Sequence, residues 1–85
     1  MKAKTDNHEH VAANIRNARK RAGLGMLEFA RTIEVNKETL RRIEAGINLP
    51  RFDVAQRIVN AGVATAREVL GLDPVPAAGP KSAES

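Results

Sequence analysis

Apolar residues recur at three- and four-residue intervals through most of this chain, the period of helices that each bury one face. Val11, Ala12, Ile15, Ala18 and Ala22, with Arg19 among them, predict a first helix over roughly 8–22. Asp6-Asn7-His8-Glu9 reads as its capping box and Gly23 as its stop. Phe29, Ala30 and Ile33 predict a second helix over about 26–33, and the pattern breaks at Glu34-Val35-Asn36. Asn36 is a good N-cap for a third helix over about 37–45, with Leu40 and Ile43 turned inward. Lys37, Glu38, Thr39, Arg41 and Arg42 occupy its other sides, and Gly46 is placed to end it in the left-handed conformation. A fourth helix over about 51–61 offers Phe52, Ala55, Ile58 and Val59 to the core and stops at Gly62. Thr65-Ala66-Arg67-Glu68 is a second capping box, opening a last short helix with Val69 and Leu70. No stretch alternates as a strand does. The expected class is all-α, a compact five-helix bundle.

The bundle is expected over residues 8–72. Residues 1–7 are polar and read as a flexible arm, and the Pro/Ala-rich segment 73–85 reads as a disordered tail. At 85 residues the chain has room for one small domain, and its 2% aromatic content leaves the core to Leu, Ile, Val and Ala. A core of that size supplies about 3–5 kcal/mol, so dimerisation or a ligand is expected to add stability. The absence of cysteine removes disulfides, thiolate zinc sites and cysteine catalysis together. No apolar run approaches the roughly 20 residues that span a bilayer, and no signal-peptide pattern opens the chain, so a cytoplasmic protein is expected. His8 and His10 stand two apart and do not share a helix face, so they predict no metal site. No nucleophile–base pair, glycine-rich phosphate loop or carboxylate dyad stands out. Neither an enzyme nor a cofactor is expected.

Charge adds a direction. Fourteen basic residues against ten acidic ones give a net +4. Residues 8–22 concentrate Arg16, Arg19, Lys20 and Arg21 against Glu9 alone, whereas residues 23–50 hold four charges of each sign. A basic bias of this kind suits a polyanionic partner, and equally a solvated helical face.

The second helix, a three-residue break and a third helix with a polar, basic outer side form the pattern of a helix-turn-helix. Small and apolar residues, Ala30 and Leu40, sit where the two helices must cross closely. The chain also carries Ile15-Arg16-x-x-Arg19-x-x-x-Gly23-Leu24, Glu28-Phe29-Ala30, Leu40-Arg41-Arg42-Ile43-Glu44-Ala45-Gly46 and Pro50. With these spacings it resembles the Cro/repressor-like (XRE-type) DNA-binding domains of phage and bacterial regulators, over about residues 11–71.

The resemblance implies a lambda-repressor-like fold in which the third helix is the recognition helix. Lys37, Glu38, Thr39, Arg41 and Arg42 would then face the bases, with Lys37 or Arg41 donating to guanine and Glu38 accepting from cytosine. Met26, Asn36 and Arg51 would lie against the DNA backbone or minor groove, and Arg19 with Glu44 would form a structural salt bridge. The implied function is a repressor that binds a palindromic operator as a homodimer, through Val63, Ala64, Val69, Leu70 and Leu72. A phage repressor or Cro-like switch, a restriction–modification controller and an antitoxin all fit. The non-standard Gly25-Met26-Leu27 and the neutral charge balance of residues 23–50 support an alternative, a protein-interaction module on the same fold. Gly25-Met26 replaces the family's usual Ser-Gln at the start of the second helix and Leu27 replaces a polar residue; separately, Glu34 stands where the family turn usually has glycine, which puts the angle of that turn in question.

Overall fold

The computed structural model describes residues 2–77, with side chains from residue 8 onward. Among the described residues there are five helices and no strand: α1 (Lys2–Arg21), α2 (Met26–Thr32), α3 (Lys37–Glu44), α4 (Phe52–Asn60) and α5 (Ala66–Val69). The helix α1 packs on α3 and α5, α2 on α3, and α4 on α5. The core is aliphatic apart from Phe29, with Ile15, Phe29, Ile33, Leu40 and Ile58 completely enclosed. The apolar stripes read from the sequence therefore meet at one centre.

All five helices end in the same way. Gly23, Gly46, Gly62 and Gly71 have φ between 75° and 80°, and Glu34 has φ 59°. In each case the left-handed residue donates to the carbonyl three back, and the residue after it to the carbonyl five back. For α3 these bonds are Gly46 N–H to Ile43 O and Ile47 N–H to Arg42 O; for α2 they are Glu34 N–H to Arg31 O and Val35 N–H to Ala30 O. An apolar residue follows every one of them: Leu24, Val35, Ile47, Val63 and Leu72. This is the Schellman termination, in which the left-handed residue turns the chain; the apolar residue then packs inward at Val63, Leu24 and Val35, whereas Ile47 and Leu72 stay exposed. At α2 a glutamate does what glycine does elsewhere.

Three expectations are corrected. The helix α1 begins at Lys2, so residues 2–7 continue it and Asp6 lies inside a helix rather than at a cap. Adding residues to an existing helix needs no new nucleus, and Lys2, Ala3 and Lys4 are good helix formers. Residue 1 lies outside the described residues. The expected tail is docked at its start, because Val75 is buried and held by α1. The Asn14 Nδ2 donates to Glu68 O and Asp73 O, both at 2.8 Å, and its Oδ1 accepts from Val75 N–H at 2.9 Å. The Asn17 Nδ2 donates to Val75 O at 3.0 Å. Residues 78–85 of the expected tail lie outside the described residues. Third, Phe52 is 81% exposed, and Val54 takes the inward place beside Ile58. Two residues advance a helix by about 200°, so Phe52 and Val54 face opposite ways.

Candidate nucleic-acid interface

The helix α3 is held on one side and open on the other. Leu40, Ile43 and Glu44 are buried, while Lys37, Glu38, Thr39, Arg41 and Arg42 are all exposed. Asn36 opens the helix by accepting from Glu38 N–H at 2.9 Å. Its side-chain oxygen is thereby committed to the cap.

The inner side of α3 is locked by charge as well as by packing. The Arg19 guanidinium donates to both oxygens of Glu44, Nε to Oε2 at 2.9 Å and Nη2 to Oε1 at 3.1 Å. Glu44 is only 5% exposed. A parallel two-bond pairing is the strong form of a charge-assisted contact, and it fixes geometry as well as adding energy. Arg19 also donates from Nη1 to Leu24 O, and Arg16 Nη1 reaches Glu44 O at 3.0 Å. Two arginines of α1 thus grip the C-terminal end of α3, where unpaired carbonyls leave a partial negative charge. The expected salt bridge is present, and it joins α1 to α3.

The outer side carries its own ion pairs. Glu38 Oε1 accepts from Arg41 Nε at 3.0 Å, and Oε2 accepts from Arg41 Nη2 at 2.6 Å and Arg42 Nε at 3.3 Å. The hydrogen bond from Arg41 holds the Glu38 carboxyl below the usual carboxylate range, and Glu38 in turn raises Arg41 further. Lys37 makes no ion pair among the described residues. Thr39 and Arg51 line one groove with Ile43, Asn48, Leu49 and Val54, of about 320 Å³. The loop before α4 therefore brings Arg51 beside the exposed side of α3.

Met26 lies elsewhere. It is half-buried and packs against the core cluster, so its side chain supports the interior rather than facing a phosphate. At the N-terminus of α2, Glu28 Oε1 accepts from Gly25 N–H at 3.0 Å, which brings the chain's own carboxylate to that end. Leu27, the neighbour of Met26, turns outward and is about half exposed.

The residues assigned to dimerisation divide in two. Val63, Ala64 and Val69 are buried within the protomer, so they offer nothing to a partner. The Schellman turn after α4 folds Val63 inward, and Val69 sits on the inner side of α5. Leu70 and Leu72 are exposed. Near them lies a surface that the periodicity did not reveal. Phe52, Ala55, Val59 and Leu70 line an apolar groove of about 290 Å³ between α4 and α5, which Leu49 and Pro50 extend toward the loop before α4.

Two long-range contacts were not legible from local pattern, one made by Arg57 and the other between Glu68 and Arg21. Arg57 of α4 donates from Nη1 to Ile33 O at 3.4 Å and Glu34 O at 3.3 Å, bracing the turn between α2 and α3. Glu68 caps α5 through Thr65 N–H and also pairs with Arg21 at 2.9 Å. The Arg21 hydrogen bond keeps the Glu68 carboxyl below its ordinary value. Among the described residues no three of His, Cys, Asp and Glu gather as metal ligands, and no helix is long and apolar enough to cross a membrane.

A helix-turn-helix family model matches residues 15–61, more than half of the chain, from the middle of α1 to the end of α4. No curated protein and no solved structure matches the sequence.

Proposed function

Because the chain belongs to the XRE-type, Cro/repressor-like helix-turn-helix family and is a DNA-binding regulator of that kind, we propose that it acts as a repressor. In this reading it covers an inverted-repeat operator as a homodimer. The observation that carries the reading is the outer side of α3, where five polar side chains stand exposed on a helix anchored by Leu40, Ile43 and the Arg19–Glu44 pair. A rigid helix with polar groups near its N-terminal end suits insertion into the major groove. Lys37, Glu38, Thr39 and Arg41 read base edges, Arg41 by its two-pronged match to guanine. Arg42 reaches a base or a phosphate, and Asn36 and Arg51 contact the backbone.

One such helix spans only a few base pairs. Two copies spaced by a helical turn of DNA, about 34 Å, double the contact and impose a palindrome. The dimer surface in this proposal is the exposed apolar face of Leu49, Phe52, Leu70 and Leu72. Its support is that Leu49, Phe52 and Leu70 line adjoining apolar grooves beside the loop carrying Arg51.

Selection of duplexes from a random pool, followed by a salt series on the best site, tests this function. An inverted repeat bound by two chains, with affinity falling steeply in salt, is the expected result. Arg41→Ala is then expected to cost about 1–3 kcal/mol and to relax preference at one base position. Recovery of no sequence, with weak binding alone, would remove operator recognition and favour a protein partner.

A further inference from the structure

One of the two donor edges with which Arg41 could read a guanine is occupied in the free protein. Both of its donors to Glu38 lie on the Nε–Nη2 edge, one of two edges suited to a two-pronged base contact, at 3.0 and 2.6 Å, and the same carboxylate holds Arg42 Nε at 3.3 Å. All three side chains are exposed and belong to one helix, so the cluster forms without any neighbour from the scaffold. Arg41 cannot keep this pairing and also grip a base or a phosphate with the same edge.

We propose that Glu38 is a specificity-determining residue that acts by competition, sequestering Arg41 and Arg42 from arbitrary DNA. This inference rests on the DNA-binding reading above. On an arbitrary duplex the two arginines gain only phosphate contacts. To use the bonded donors they must give up a carboxylate already in hand, and any close approach brings that carboxylate near the phosphates. On the matching site Arg41 exchanges Glu38 for a base edge, and the released carboxylate finds a donor in cytosine N4. The exchange is thus balanced on one sequence and costly on others. The ion pair is exposed and individually weak, so it tunes discrimination without locking the helix.

The test measures binding of the native chain, Glu38→Gln and Glu34→Gln to a mixed-sequence duplex and to the selected site over a salt series. Both variants remove one negative charge from exposed positions, but Glu34 makes no ion pair among the described residues. The expected result is that Glu38→Gln binds the mixed duplex about two- to tenfold more tightly than the native chain does. Its salt slope should steepen by about 0.9 for each arginine released to a phosphate. The ratio of specific to arbitrary binding should fall, while Glu34→Gln changes little. An equal gain in both variants overturns the inference, since total charge would then explain it. So does an unchanged affinity of Glu38→Gln for the mixed duplex with altered preference at one base position, the mark of simple base reading. Failure of all three chains to bind any duplex overturns the DNA reading itself, and this inference with it.

Discussion

Glu34 occupies the left-handed region at φ 59° in the turn that sets α3 against α2. That conformation costs a residue with a side chain roughly 1–2 kcal/mol, and only glycine escapes most of it. Arg57 supports the strained turn by donating to the carbonyls of Ile33 and Glu34. Glu34→Gly is therefore expected to raise stability by about 1 kcal/mol, after the extra chain entropy of glycine is subtracted. Thermal unfolding would read this as a melting point a few degrees higher. A lower melting point would mean that the glutamate side chain contributes more than its backbone strain costs. The sequence pointed to this position, since Glu34 stands where the family turn has glycine, and the structure shows that the geometry is kept and the strain accepted. It did not point to Arg57, which lies more than twenty residues away and on another helix.

At the scale of elements, helix ends were legible and chain ends were not. Four of the five terminations carry glycine followed by an apolar residue, and Val35 completes the same pattern after Glu34. Pro74 and Pro76 make the segment after α5 look loose, yet Val75 between them is buried. The reason is Asn14, a buried amide on α1 whose two donors and one acceptor all engage the backbone of residues 68–75. Buried polar groups of this kind are costly to leave unpaired. Asn14→Ala is expected to lower stability by about 2 kcal/mol. It should also speed hydrogen exchange at the Val75 amide, measured by NMR. Unchanged exchange at Val75 would show that burial alone holds the segment.

For the whole molecule, the decisive feature is where apolar surface remains. Phe52 at 81% exposure is costly to leave in water, and it lines the groove with Leu70 between α4 and α5. If two copies meet there, Phe52→Glu is expected to leave helix content nearly unchanged while converting dimer to monomer in sedimentation and removing the concentration dependence of the melting point. Operator affinity should then fall by tenfold or more, since each half-site would be bound alone. A dimer that survives the substitution would place the interface on another face. Val63, Ala64 and Val69, although apolar and near the same helices, are already spent on the protomer's own core.

The sequence by itself determined the all-helical class, the order of the five helices, most of their ends and the polar outer side of α3. These follow from spacing and turn chemistry within a few residues, which local rules capture. Only the tertiary structure decided that Phe52 faces outward, that Val69 faces inward, that Asn14 ties down Val75 and that Met26 supports the core. Those outcomes depend on how each helix is rotated against its neighbours and on polar partners as far as 61 residues apart. Local periodicity carries no record of either.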